Sequence, residues 1–372
     1  MQQLDFLPQE KVVWGRQVLA DALARLSRYG IDRPILFTVE PLAGLAKEVV
    51  AAIGSDVVGE FLDFPPHVPE TAVNNALRAC ESTGARSVIA LGGGSVLDAA
   101  KAVSHFHQVR HGRPLPIVAL PTTLSGSEFS HYFGVTETIG EVKFKRSYAV
   151  RETAPRVVII DPELIRGTPP GLLLSSAIKG IDHAVEGMRL VEPDHPHAIL
   201  AASGVARFLR VLNVWPSAVE TQHALDAGSI TPDDLLQLQL AAWQCYFFPA
   251  SVVYGLSHRI GHILGGTFGV PHSLTSCVTL APVIEACASF YGDKLRIFNG
   301  RASGREAASV LSSDIGGLVN YLGLPSKLRE IGFDRSLISH VAELLLENYP
   351  REVEDLGVDA RFKLADLLEN LW

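Results

Sequence analysis

Short apolar runs alternate with amphipathic stretches through the first half of the chain. Ile35–Val39, Val57–Phe64, Val88–Leu91 and Pro116–Leu120 read as strands. Gln17–Tyr29, Leu42–Ile53 and Glu70–Ser82 repeat apolar residues at helical spacing, with Gly30 and Gly54 in the usual stop positions. Pro65, Pro66 and Pro69 mark a loop. Strands alternating with helices predict a parallel sheet covered on both faces, with ligands bound beyond the carboxyl ends of the strands. After Asp161-Pro162-Glu163-Leu164 the pattern changes. Thr168-Pro169-Pro170 reads as a boundary, and helical periodicity dominates Leu173–Leu190, Pro196–Leu212, Pro232–Leu256, Leu274–Phe290, Glu306–Leu322, Leu337–Glu347 and Arg361–Leu371. The expected organisation is an α/β domain over 1–165 and an all-helical domain over 166–372, with the active site in the cleft between them.

Within the first half, Ser87–Lys101 carries the clearest chemistry. The apolar run ends in Gly92, Gly93 and Gly94, and Ser95 opens a helical pattern with Val96, Ala99, Ala100 and Val103 on one face. A strand feeding a helix through glycines lets backbone N–H groups approach a phosphate at the positive end of the helix. The motif is neither Gly-x-Gly-x-x-Gly nor a Walker loop, since no Gly-Lys-Ser/Thr follows. The Pro121-Thr122-Thr123 turn after the next strand falls at the same edge of the expected sheet.

Composition narrows the picture. A chain of 372 residues suits two domains. A net charge of −8 gives no reason to expect nucleic acid or an anionic membrane as a partner. Cys80, Cys245, Cys277 and Cys287 lack zinc-type pairing, which fits a reduced, cytoplasmic protein. Met1–Lys11 has no apolar core like that of a signal peptide. Leu235–Leu256 is apolar but interrupted by Gln237, Gln239, Gln244 and Pro249, so a buried helix explains it better than a membrane span.

Four motifs occur in order: Gly92-Gly93-Gly94-Ser95-Val96-Leu97-Asp98, Pro121-Thr122-Thr123-Leu124-Ser125-Gly126-Ser127-Glu128, Asp161-Pro162-Glu163-Leu164, and His258…His262…Pro271-His272. Together they resemble the iron-containing (group III) alcohol dehydrogenase superfamily, from about Ile35 to about Val283. The compact Pro-Thr-Thr-x-x-Gly-Ser-Glu and the Leu264–His272 stretch are similar to maleylacetate reductases. The resemblance implies a dehydroquinate synthase-like fold: an α/β dinucleotide-binding domain followed by a helical domain. It also implies NAD(H) or NADP(H) as cofactor. Gly92, Gly93, Gly94 and Ser95 would hold the pyrophosphate, Asp98 would fix the loop and the nicotinamide side, and Thr122, Thr123, Ser127 and Lys143 would line the dinucleotide. Many members that prefer NAD carry an acidic residue after the second strand. Val39 stands there and Glu40 follows; no Arg or Lys is adjacent for a 2′-phosphate, so NADH or dual use is expected.

The resemblance also raises the question of a metal. Metal-dependent members bind a divalent ion with one Asp and three His, the first two arranged Asp-x-x-x-His on one helix face. His183, His258 and His272 occupy the histidine positions. Lys179 stands where the Asp belongs, and Asp182, adjacent to His183, is expected to point elsewhere on the helix. An ammonium offers no lone pair to a cation and repels it, so no metal is expected. Maleylacetate reductases also lack this Asp, typically having Asn, and work without metal.

The resulting expectation is a metal-independent NAD(P)H-dependent reductase of a small, anionic substrate with an activated carbonyl or conjugated double bond. Lys179, His183, His258 and His272 would meet the charge developing on the substrate oxygen. His262 would deliver or relay the proton, and Arg259 would be available for a substrate carboxylate. Relatives are commonly homodimers. Three rival functions have distinct signatures. A metal-dependent alcohol dehydrogenase would contain metal, a lyase or cyclase would keep NAD bound without net reduction, and a non-catalytic assembly subunit would bind no dinucleotide.

Overall fold

The computed structural model describes residues 4–65, 68–139, 142–216, 219–300 and 302–372, with the side chains of 138–145 excluded. The chain divides into two compact units: residues 4–168 with 231–239, and residues 169–230 with 240–372.

The first unit is built on a parallel sheet. Its strands are β1 (Lys11–Trp14), β2 (Pro34–Phe37), β3 (Gly59–Phe61), β4 (Ser87–Gly92), β5 (Ile117–Pro121) and, after a separate hairpin, β8 (Val157–Ile160). Among the described residues these six pair in the order β1-β8-β5-β4-β2-β3. The helices are α1 (Leu19–Ala24), α2 (Ala43–Ile53), α3 (Glu70–Thr83) and α4 (Gly94–His111). On one face Leu36, Ile89, Leu91, Val118, Leu120, Val157 and Ile159 pack with Leu23 of α1 and Ala46 and Val49 of α2. β4 is buried along its whole length, as a central parallel strand covered on both faces must be. The chain runs outward from β2 to β3 and returns to β4 on the other side of β2, so strand order reverses at the β2/β4 pair. Ligands of open α/β sheets bind beyond the strand ends at such a reversal.

Several elements differ from expectation. The stretch 17–29 is not one helix: α1 ends at Ala24 and a 3₁₀ turn, Leu26–Tyr29, follows. β1, β8 and the antiparallel hairpin β6 (Tyr132–Ile139) and β7 (Val142–Ala149) lie outside the elements expected from the sequence.

The second unit is helical: α5 (Pro170–Glu186), α6 (Pro196–Leu212), α7 (Thr221–Asp226), α8 (Pro232–Cys245, whose first residues belong to the first unit), α9 (Leu256–Gly266) and α10 (His272–Ala286). Further helices span Gly304–Tyr321, Ile338–Asn348 and Ala360–Leu371. α5 begins on Pro170 and is buried from Leu173 to Glu186, packing on α6, α9 and α10. The expected helix Pro232–Leu256 is two helices. α8 stops at Cys245, Pro249–Ser251 forms a 3₁₀ turn, and α9 starts at Leu256. Among the described residues no single helix is long and apolar enough to cross a membrane.

Candidate functional site

In the α/β unit the expected cofactor residues gather at the carboxyl ends of β4 and β5. Gly92 pairs in register with Pro121, and the Thr122 N–H donates to the Gly92 carbonyl at 3.0 Å. Thr122 and Thr123 are buried beside the glycines, and the Thr168 hydroxyl fastens the turn by donating to the Thr122 carbonyl at 2.6 Å. α4 starts with Gly93 as N-cap and no side chain capping it. The Val96 N–H turns back to the Gly93 carbonyl at 3.1 Å, which leaves the Gly94 and Ser95 amides without an intrahelical partner at the positive end of the helix dipole. A Cβ on Gly93 would lie 2.8 Å from Thr123 Cγ2, so only glycine fits. A Cβ on Gly94 would meet only Ser125 Oγ, at 3.5 Å. Ser95 is exposed on the first turn. At the end of β2 the fully buried Thr38 hydroxyl has no hydrogen-bond partner among the described residues, and Glu40 is exposed just beyond it. An uncapped helix end, open space over Gly94 and an orphaned hydroxyl beside the strand-order reversal fit a dinucleotide.

Behind this edge lies a group the sequence reading misses. Lys101, completely buried on α4, donates to Asp98 Oδ1 at 3.2 Å, to Ser127 Oγ at 2.7 Å and to the Tyr132 carbonyl at 2.7 Å. Ser127 in turn donates to Asp98 Oδ1 at 2.7 Å. Asp98 and Ser127, expected at the cofactor, are thus also the clasp tying α4 to the following loop and hairpin. Burial lowers the Lys101 pKa, against the opposing pull of Asp98. Burial also pushes the neighbouring Glu128 carboxyl up to about 7, although its own backbone N–H and the Lys101 charge oppose the shift. The i,i+3 spacing of Asp98 and Lys101 was the available sequence signal. Lys143 falls on β7, where its side chain lies outside the described residues.

In the helical unit α5, α9 and α10 bring the other predicted residues together. The Lys179 ammonium, almost wholly buried, donates to Asp182 Oδ2 at 2.8 Å and to His258 Nδ1 at 3.1 Å. The His258 ring lies 5.4 Å from that of His183, 4.6 Å from His262 and 6.4 Å from His272, centroid to centroid, and His262 is 5.8 Å from His272. Lysine has no acceptor, so His258 Nδ1 must accept and its proton resides on Nε2. Burial, then the Lys179 charge and neighbouring imidazoles, hold the His183 and His258 pKa values well below the ordinary range. Both rings are therefore neutral at pH 7.

Asp182 does not point away from this group, contrary to the sequence reading. It lies three residues from Lys179, a spacing at which helix side chains meet. It also accepts from Ser257 Oγ at 2.8 Å and Ser276 Oγ at 2.9 Å, and its Oδ2 is 3.5 Å from His258 Nδ1. Burial raises this carboxyl, but Lys179, the His183 side chain and the hydroxyl donors outweigh it, so it stays below its usual range. Arg259 is committed elsewhere: its Nε donates to Glu352 at 2.9 Å and its guanidinium lies over the Tyr349 ring. Two aromatic walls complete the cluster. Tyr246 stacks on His183 with centroids 3.9 Å apart, and Tyr254 stacks on His258 at 4.6 Å. Neither tyrosine is among the site residues expected from the sequence.

The donor set does not fit a divalent ion. The Asp182 carboxylate beside His258 is occupied by an ammonium and two hydroxyls, and that ammonium also occupies a nitrogen of the central imidazole. Among the described residues no three His, Cys, Asp or Glu side chains are grouped to hold a metal.

Comparison with known proteins bears on both units. A sequence profile of the iron-containing alcohol dehydrogenase family matches residues 8–162, and a C-terminal profile of the same family matches residues 237–355. The chain is 31% identical over 355 residues to a maleylacetate reductase of Pseudomonas aeruginosa, covering 95% of this chain and 94% of that one. It is 32% identical over 348 residues to a maleylacetate reductase of Delftia acidovorans, covering 91% and 90%. The crystal structure of maleylacetate reductase from Rhizobium sp. strain MTP-10005 shares the fold, with a TM-score of 0.82 at 24% identity over 100% of this chain and 98% of that one.

Proposed function

Since the chain belongs to the iron-containing alcohol dehydrogenase family and is an NAD(P)-dependent oxidoreductase, we propose that it is a metal-independent reductase of a small dianionic enone of the maleylacetate type. The observation that carries the metal-independent reading is the Lys179 ammonium, held by Asp182 and donating to His258 Nδ1 at 3.1 Å. The substrate class rests on the maleylacetate reductases, which are about a third identical over nine-tenths or more of both chains. Maleylacetate carries two carboxylates and a carbon–carbon double bond conjugated to a ketone.

The nicotinamide, when bound, supplies the hydride. Gly92, Gly93, Gly94 and Ser95 would hold the pyrophosphate on the first turn of α4, with Thr122 and Thr123 alongside and Asp98 fixing the loop. Reduction of the conjugated double bond would develop negative charge on the conjugated oxygen. The His258 Nε2–H donates to that oxygen, polarised from behind by Lys179 on Nδ1. His262, half-buried next to His258, gives a proton to the adjacent carbon and recovers it from solvent. The substrate gains one hydride and one proton in total. His183 and His272 line the same cluster, and Tyr246 and Tyr254 hold the His183 and His258 rings flat. Arg259 is engaged by Glu352 and is given no role toward the substrate. The four buried free thiols accord with a reduced, cytosolic protein, and a homodimer completes the proposal.

Loss of NADH absorbance on adding maleylacetate is the direct assay. Turnover of maleylacetate with simple aldehydes inert supports the reading, whereas turnover of aldehydes with maleylacetate inert overturns the substrate class. Gly94→Val fills the open space over the first turn of α4, and NADH binding followed by fluorescence titration is expected to vanish while the protein stays folded. Unchanged affinity would remove the loop from the cofactor site.

A further inference from the structure

Glu186 is fully buried on α5, one turn beyond Asp182 and two turns beyond Lys179, and nothing in the chemistry above uses it. Its Oε1 accepts from the Tyr291 hydroxyl at 2.8 Å, and its Oε2 accepts from the His258 backbone N–H at 3.3 Å. α9 begins at Leu256 after Gly255, and no side chain at the N-cap serves its first amides. Those amides have no partner within the helix. Glu186 therefore does from α5 what an N-cap side chain would do from α9 itself.

The fit is close. A Cβ on Gly255 would come within 2.8 Å of Glu186 Oε2 and 3.0 Å of the Tyr291 hydroxyl, so glycine at the N-cap is what lets the carboxyl reach the amide. The amide it holds belongs to His258, whose ring must keep Nδ1 on Lys179. His262 follows one turn later on the same helix. α5 thus grips the start of α9 at three points: Lys179 on the His258 ring, Asp182 on Ser257 Oγ, and Glu186 on the His258 amide. Burial, and then the charge of Asp182, push the Glu186 carboxyl up to about 8, while its oxygens keep the Tyr291 hydroxyl and the His258 amide as donors.

We propose that Glu186 is a positioning residue for reduction: by capping α9 from α5, with Tyr291 supporting its second oxygen, it sets the approach of His258 Nδ1 to Lys179 and the aim of His262. This rests on the roles given above to Lys179 and His258.

The test uses the full-length protein with histidine labelled by ¹⁵N, and reads kcat and KM for NADH and maleylacetate beside the imidazole resonances. Glu186→Gln keeps a carbonyl oxygen for the His258 amide and turns an NH₂ to the Tyr291 hydroxyl oxygen, so that contact persists with donor and acceptor exchanged. It is expected to stay within about threefold of the unmutated kcat with the His258 resonances in place. Glu186→Ala is expected to lower kcat on the order of ten- to a hundred-fold, the effect of a misplacement near 1 Å, with the NADH KM unchanged and the His258 resonances displaced. A folded Glu186→Ala protein with unmutated kcat and histidine spectrum overturns the proposal, as does a Gln variant disturbed as much as the Ala variant. Should Glu186→Ala fail to fold, Tyr291→Phe carries the test: displaced His258 resonances with a several-fold lower kcat support the cap, and an unchanged spectrum overturns it. The resonances need no turnover. If maleylacetate is inert but Glu186→Ala still displaces them, the cap stands and the substrate reading falls.

Discussion

Among the described residues two lysines are buried, Lys101 in the α/β unit and Lys179 in the helical unit, and they are held alike. Each pairs with an aspartate three residues away on its own helix, Asp98 at 3.2 Å and Asp182 at 2.8 Å. In each case serine donates to the same carboxylate: Ser127 to Asp98 Oδ1, and Ser257 and Ser276 to the two oxygens of Asp182. The difference lies in the remaining contacts of the ammonium. Lys101 gives its other protons to a serine hydroxyl and a main-chain carbonyl, so all three donors are spent on the protein. Lys179 donates to an imidazole nitrogen, and an imidazole passes that polarisation to its other nitrogen. The same device is a clasp in the first unit and, in the function proposed above, part of the chemistry in the second.

The largest effect is expected on the clasp. Lys101→Met keeps the length of the side chain and leaves Asp98, Ser127 and the Tyr132 carbonyl without their donor. Breaking such a pair from one side costs about 3–5 kcal/mol of stability, which a denaturant midpoint reads. An unchanged midpoint would remove Lys101 from its structural role. Next comes Lys179→Ala, with kcat lowered on the order of a hundred-fold or more, about 2.7 kcal/mol of barrier, as when an oxyanion donor is lost. The KM for NADH should hold. The midpoint also falls, because Asp182 keeps only its hydroxyl donors, so kinetics are read at a temperature where the variant is folded. A folded variant with unmutated kcat would make Lys179 a second clasp and end the comparison.

The smallest effect sharpens the comparison through pH. Burial raises the Glu128 carboxyl to about 7, with the Lys101 charge opposing it. The folded protein therefore binds this proton more tightly than the unfolded chain. The associated stability is full below the ordinary carboxyl range and is lost as pH rises through 7. Between pH 6 and 8 the unmutated protein should lose about 1.4 kcal/mol relative to Glu128→Gln. Parallel pH profiles for the two proteins would contradict this.

Four of the six described strands of the sheet, the glycine loop and the histidine positions were legible in the sequence because each rests on local signals: apolar runs between helical stretches, and motifs within a few residues. Asp182 was misread because its spacing was judged only against His183. The three-residue step to Lys179, and the hydroxyls of Ser257 and Ser276 reaching it from α9 and α10, decide where it points. The break between α8 and α9 was hidden by an apolar run that periodicity cannot divide, although Pro249 lies inside it. Lys101 looked like an ordinary helix lysine, since its partners at 127 and 132 lie in a loop and hairpin brought up by the fold. Tyr254 escaped for the same reason: its stacking on His258 needs the turn before α9.

The central claim is that Lys179, held by Asp182, does in this site what a metal ion does in metal-dependent relatives. Reductase activity of the unmutated protein after exhaustive chelation, with and without added zinc or ferrous ion, tests it most directly. Full activity after chelation, with no gain on adding either ion, is the predicted result. Activity lost to the chelator and restored by a divalent ion would contradict the claim.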